Sequence, residues 1–280
     1  MRPTTWRQIE TVPIWKNAYR TYRKLPPVLR APMRVAATPL WSGVAQLVLL
    51  RTGQTVASGP FEGITLALSP VSRRHLLSYL LGTTELEIWP AIERIIARSY
   101  DTIINIGAAD GYYVVGFGKR MPRTKLVAYE AKTELHPALR HVAQVNGIDG
   151  RLCLRGLCTL ANLEKELERA TGPSLVLMDI EGAEATMLDP ARVAGLRQAD
   201  VLVETHEAFA PGCTESIVTR FSATHDILRY RPRPRVLADF PISVLPWLPR
   251  LFPRLAVDLM DERRTGVQEW LYMTTKTGLR

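Results

Sequence analysis

The stretch TIINIGAADGYY, residues 102–113, decides the fold of this 280-residue chain. Its first five residues form an apolar run of strand length, and its glycines mark a turn into a helix expected over residues 112–120. Outward from this point, strand-like and helix-like segments alternate. KLVAYE (125–130) is the next strand and 134–146 the next helix; RLCLRG precedes the helix LANLEKELERA. SLVLMDI (174–180) precedes a helix beginning near Glu184, and DVLVETH (200–206) one around 214–223. DILRYR leads into a basic insertion, and VQEWLYMTT (267–275) reads as the last strand. Units of this length and order predict an α/β fold, a mostly parallel sheet with helices on both faces. Ligands bind such sheets beyond the carboxyl ends of the strands.

The rest of the chain is less regular. Residues 1–70 read as a basic N-terminal extension, in which TVASGPFEGITLAL (55–68) predicts two short strands around a Gly-Pro turn. Residues 71–280 read as the main domain, with its core at 100–230, an insertion at 231–266 and the last strand at 267–275. Residues 72–99 predict two helices broken near Gly82 and Pro90. A hydrophobic share of 46% and a charged share of 22% belong to a folded globular chain. Three scattered cysteines exclude a disulfide framework and a structural zinc site, and they predict a reducing cytoplasm. No signal peptide is expected at the basic start, and the longest uncharged run, 16 residues, is too short to span a bilayer.

The net charge of +9 is concentrated in two flanks. Residues 1–34 hold eight basic residues against Glu10 alone, and residues 229–254 hold six arginines against Asp239 alone. Both flanks interleave aromatic residues. They fit an anionic membrane surface, an acidic substrate or a nucleic acid, or equally a solvated helix face and a proline-broken loop. Nucleic acid is disfavoured, and the expected location is cytoplasmic, with the membrane's inner face as the peripheral alternative.

At the turn, Gly107 and Gly111 allow a ligand to approach the backbone, and Glu130, 23 residues beyond Gly107, is placed to accept hydrogen bonds from ribose hydroxyls. A dinucleotide fingerprint needs glycine where the chain has Ala109, and Asp110 opposes a pyrophosphate. An acidic loop suits S-adenosylmethionine, whose ammonium and sulfonium are cationic. A nicotinamide-dependent oxidoreductase is the alternative; an antiparallel last strand counts against it.

The segments INIGAADGYY, VAYEA, the VNG around Asn146, MDIEGAE and VLVETHE resemble the FkbM-like family of S-adenosylmethionine-dependent methyltransferases over about residues 100–210. The resemblance implies a class I methyltransferase (Rossmann-like) fold, seven-stranded with an antiparallel last strand. It also implies O-methylation of a hydroxyl on a sugar, glycolipid or secondary metabolite. Family members often carry aspartate where this chain has Asn105, so Asp110 is expected to share the work of holding the cofactor's methionine part. Tyr113 and Asp179 complete the expected cofactor shell.

For catalysis, His206 at the end of the fifth strand is the candidate base, because its ordinary pKa lies near neutrality. Asp179 and Glu204, with Glu207 beside them, are the alternative: an oxygen-rich magnesium site that acidifies the acceptor hydroxyl. Glu181 and Glu184 are expected to cap the following helix. His75, His136, His141 and His225 share no constellation and read as structural or surface residues. A non-catalytic module that binds membrane or polyanion through its basic flanks is the remaining reading.

Overall fold

The computed structural model describes residues 21–22, 24–26, 38–67, 76–262 and 268–276. The chain divides into two compact units. One comprises Met1–Gly63, Arg74–Thr84 and Pro234–Arg263; the other comprises Ile64–Arg73, Glu85–Arg233 and Arg264–Arg280.

The larger unit is built on one sheet of seven strands: β1 Thr102–Ile106, β2 Lys125–Tyr129, β3 Leu152–Arg155, β4 Ser174–Met178, β5 Asp200–His206, β6 His225–Tyr230 and β7 Gln268–Thr275. Their order across the sheet is β3-β2-β1-β4-β5-β7-β6. The first five are parallel, whereas β7 runs antiparallel to both β5 and β6. This is the α/β arrangement expected of a class I methyltransferase, and the antiparallel β7 counts against the dinucleotide alternative. Every residue of β1, β4 and β5 is buried, as befits central strands covered on both faces. The edge strands β3 and β6 are only partly so.

Alternation along the strands sorts side chains into two layers. Ile104, Ile106, Val127, Val176, Met178, Val201, Val203, Leu271 and Met273 face one core, where they meet Leu163, Leu167, Met187, Ile217 and Phe221 from helices Leu160–Glu168, Glu184–Met187 and Cys213–Phe221. Burying an aliphatic or aromatic side chain of this kind contributes about 1.5–3 kcal/mol. The opposite face carries Ile103, Asn105, Leu126 and Leu177. Helix Tyr112–Arg120 lies against it so closely that a Cβ at Gly118 would come within 2.6 Å of Leu126 Cδ1. At the amino end of β5, buried Asp200 ties β7 into the sheet. It accepts from the Tyr100 hydroxyl and the Thr275 amide, and pairs with Arg98 at 3.0 Å.

The smaller unit is helical. Helix Pro39–Thr52, helix Leu76–Leu81 and the segment containing Leu248–Leu251 and Pro253–Leu259 share a core of Val44, Val48, Leu81, Phe240, Leu245, Leu248, Leu255 and Leu259. Buried Arg235 and Glu262 pair within it. The two strands expected around the Gly-Pro turn are absent. Thr55 and Thr65 are isolated bridge residues, and between them the chain is a series of turns closed by Gly63 N donating to Val56 O at 2.9 Å. Paired glycines and a proline leave too few consecutive extended residues for a ladder. No helix among the described residues is long and apolar enough to cross a membrane. Residues 1–20, most of the first basic flank, lie outside the described residues.

Candidate functional site

The turn after β1 is wound by three left-handed residues, Gly107 (φ 82°), Ala109 (φ 45°) and Gly111 (φ 91°). Gly107 is needed for packing as well as for φ, because a Cβ there would sit 1.8 Å from the Asp179 carbonyl oxygen. The Gly107 and Ala108 amides both donate to Tyr129 O, at 2.9 and 3.0 Å, so β2 fixes the turn. An alanine in the left-handed region costs about 1–2 kcal/mol. Here the Ala109 amide donates to Glu130 Oε2 at 2.8 Å, which holds that conformation. The other oxygen, Glu130 Oε1, accepts from Lys132 N at 2.8 Å. Glu130 is thus buried and locked by two amides, and each carboxylate oxygen retains capacity to accept a further donor.

Asn105, one turn-length back on β1, is 1% exposed, and neither its Oδ1 nor its Nδ2 has a hydrogen-bond partner. A buried amide in this state costs roughly 1–3 kcal/mol per unsatisfied group. Such an amide calls for a polar partner, supplied by water or by a ligand. Asp110 is also buried, at 5% exposure. Tyr112 packs inside, while the half-buried Tyr113 ring lies 5.6 Å from Trp270 and 5.3 Å from Tyr112. Trp270 stands opposite Glu204 in the β5–β7 register, and its buried Nε1 has no partner. The sequence reading missed this residue, because a tryptophan in a terminal strand reads as core; only the antiparallel register of β7 brings it to the mouth.

The second half of the site lies at the ends of β4 and β5. Asp179 N donates to Ile106 O, which places its side chain beside the turn, on the sheet face that carries Asn105. Glu204 and His206 alternate along β5 onto the same face, 4% and 1% exposed. His206 Nδ1 lies 2.8 Å from Glu184 Oε1, while Nε2 faces Glu204 at 3.4 Å, Asp179 at 3.7 Å and Glu181 at 4.0 Å. Burial alone would lower the pKa of His206. Hydrogen bonds to Glu184 and Glu204 and the charges of Glu204 and Asp179 outweigh it and raise the pKa to about 10. In the absence of a bound cation, this carboxylate cage favours the protonated form of His206, so the ordinary pKa behind its expected role as base does not hold there. Desolvation and the adjacent Glu204 push the carboxyl of Asp179, whose side chain is one-third exposed, well above its ordinary range.

Two further expectations change. Glu184 does not cap the helix that follows. Fully buried, it accepts from the Gly182 amide at 3.0 Å and from His206, which hold its carboxyl below the usual range despite burial. Glu207 takes no place in the cluster: it accepts from Gly212 N at 2.7 Å and Thr214 N at 2.9 Å, at the start of helix Cys213–Phe221. Asp179 and Glu204 do lie together, but with His206 as the third donor rather than as an all-oxygen pair.

The arginines of the second basic flank are partly consumed by ion pairs. Arg229 pairs with Glu215 at 2.7 Å and Arg231 with Glu269 at 3.5 Å, and Arg235 is buried against Glu262.

No family model matches the chain, and no curated protein matches it. Among solved structures, it is similar to an O-methyltransferase from Bacillus cereus in complex with SAH, at 10% identity and a TM-score of 0.41 over 84% of this chain and 90% of the other. It is likewise similar to an O-methyltransferase from Streptomyces achromogenes, involved in tomaymycin synthesis and bound to SAM, at 12% identity and a TM-score of 0.42 over 82% and 89%. A ribosomal protein L11 methylase from Lactobacillus delbrueckii subsp. bulgaricus shows 14% identity and a TM-score of 0.42 over 76% and 84%. Likeness this distant decides neither activity nor substrate.

Proposed function

We propose that the chain is an S-adenosylmethionine-dependent methyltransferase of FkbM-like type that methylates a hydroxyl of a sugar, glycolipid or secondary metabolite. The observation that carries this reading is Asn105, a buried amide with no partner beside a turn that Glu130 closes. Such an amide offers both a donor and an acceptor to the cofactor's amino-acid part, with Asp110 supplying the charge that Asn105 lacks. Glu130 receives the ribose hydroxyls on its remaining lone pairs. Tyr113 and Trp270 give the neighbouring wall.

Transfer needs an acceptor oxygen in line with the methyl–sulfur bond. The oxygen–carbon bond forms as the carbon–sulfur bond breaks, sulfur leaves as a neutral thioether, and the hydroxyl proton passes to Asp179. A carboxyl whose pKa is raised is the better proton acceptor near neutrality. His206, anchored at Nδ1 by Glu184, presents Nε2 to Asp179 and Glu204 and fixes their positions. SAM should raise the melting temperature of the protein, whereas NADH should leave it unchanged. Stabilisation by NADH and not by SAM would refute the reading.

For the setting of the acceptor, we propose an anionic membrane surface. Exposed Ile242, Trp247, Leu251 and Phe252 lie in the segment that also exposes Arg250 and Arg254, a combination suited to the headgroup region. Pelleting with phosphatidylserine vesicles should weaken in Trp247→Ala/Phe252→Ala; unchanged pelleting rejects this surface.

A further inference from the structure

The cluster at the ends of β4 and β5 carries more than a proton acceptor. Metal ligands about 2.0–2.2 Å from a common ion stand about 3.0–3.5 Å apart. His206 Nε2 is 3.4 Å from Glu204 Oε2 and 3.7 Å from Asp179 Oδ1, and one donor atom from each of the three residues lies within 4.8 Å of the others. The imidazole is also set as a metal-ligating histidine is set. Its far nitrogen, Nδ1, is held at 2.8 Å by a carboxylate, Glu184 Oε1, which fixes the ring and turns Nε2 to the cluster.

A second observation points the same way. Glu184 is 0% exposed, and its Oε2 has no hydrogen-bond partner. Four carboxylates, from Asp179, Glu181, Glu184 and Glu204, surround one imidazole at 4.0 Å or less from its ring nitrogens. Two of them, Glu184 and Glu204, are buried, and one imidazolium does not neutralise both; buried carboxylates need compensation by a cation or by donors.

We propose that Asp179, Glu204 and His206 form a divalent-metal site of two carboxylates and one imidazole, with Glu184 as the residue that positions His206. The donor chemistry selects the ion. Magnesium prefers an all-oxygen octahedron and keeps several waters, whereas an imidazole with carboxylates suits a first-row transition ion such as Mn²⁺, Co²⁺ or Zn²⁺. This ion and donor set differ from the magnesium expected on Asp179 and Glu204. The site's role in methyl transfer rests on the methyltransferase reading; its existence does not.

The test uses the tag-free full chain, stripped with a chelator. Calorimetry with MnCl₂ is expected to show one site, with MgCl₂ binding at least tenfold more weakly. Pulsed EPR of the Mn²⁺ protein should show coupling to a ¹⁴N nucleus, lost in His206→Gln, while Glu184→Gln should weaken Mn²⁺ binding about 10–100-fold. An unchanged circular dichroism spectrum and a cooperative thermal transition in each variant report an intact fold. Absence of ¹⁴N coupling in the wild type overturns the proposal without recourse to any variant, as does equal affinity for Mg²⁺ and Mn²⁺. Metal binding without SAM binding would overturn the methyltransferase reading alone, and SAM binding without metal would overturn the metal site alone.

Discussion

The glycine turn after β1 and the carboxylate cluster sit on one sheet, yet they are held by different forces. Residues 107–111 are held by sterics and by backbone hydrogen bonds: left-handed φ angles, amides donating to Tyr129 O, and one carboxylate that locks Ala109. The cluster is held by charge, since His206 is bonded to Glu184 and faced by Glu204 and Asp179. A turn of the first kind fails by not fitting. A cluster of the second kind responds to protons and cations while the backbone stays as it is.

The largest effect expected of a single change is at the turn. Gly107→Ala drives a Cβ to 1.8 Å from Asp179 O, a backbone atom that has no room to yield. The expected cost is about 4 kcal/mol or more, a class of effect reserved for such collisions. Chemical denaturation measures it, and a loss below about 1 kcal/mol would mean that the turn is not held by packing.

In the cluster, the corresponding change is electrostatic. Two buried histidines of the metal-free protein should titrate in opposite senses. His206, raised from 6.5 to about 10, stays protonated through neutrality and contributes stability that is fully present below pH 6.5 and is lost as pH rises toward 10. His225 is held below its ordinary 6.5 by burial, with Nε2 against Ala199 O at 2.9 Å. Its effect has the opposite sign. The unfolded chain takes up that proton first, so stability falls as pH drops below 6.5. NMR titration of the imidazole resonances resolves the two, and in Glu184→Gln the His206 resonance should titrate at lower pH. A His206 that titrates near 6.5 in the wild type would remove the charge cage from the account.

The smallest effect sharpens the contrast. Ala109→Gly relieves a left-handed alanine, worth about 1–2 kcal/mol, but adds unfolded-state freedom of about 0.5–1 kcal/mol. The net gain should be below about 1 kcal/mol in denaturation, with SAM affinity unchanged.

The same contrast explains what could be read from the sequence. Each of the seven strands was legible to within a residue or two, because buried strands carry apolar runs and their ends carry glycine, proline or acidic residues. β5 at Asp200–His206 and helix Tyr112–Arg120 have the expected bounds. The place of Glu130 beside the turn was legible because parallel neighbours bring the end of the second strand next to the end of the first. The partnership of Glu184 with His206 was not, since 22 residues separate them and a glutamate at a helix start looks like a cap. The charge state of His206 depends on carboxylates from β5, the segment after β4 and helix Glu184–Met187, so its ordinary pKa misleads. Trp270 reaches the mouth only through the register of an antiparallel strand. Likewise, no local pattern tells that residues 234–263 group with residues of the N-terminal 63.

The central claim is that the turn closed by Glu130 holds S-adenosylmethionine, and calorimetric titration of the purified chain with SAM tests it most directly. One site is expected, weakened at least tenfold in Glu130→Ala, which removes about 1.5–3 kcal/mol of charge-assisted hydrogen bonding. Absence of SAM binding by the wild-type protein, or equal binding by Glu130→Ala, would contradict it.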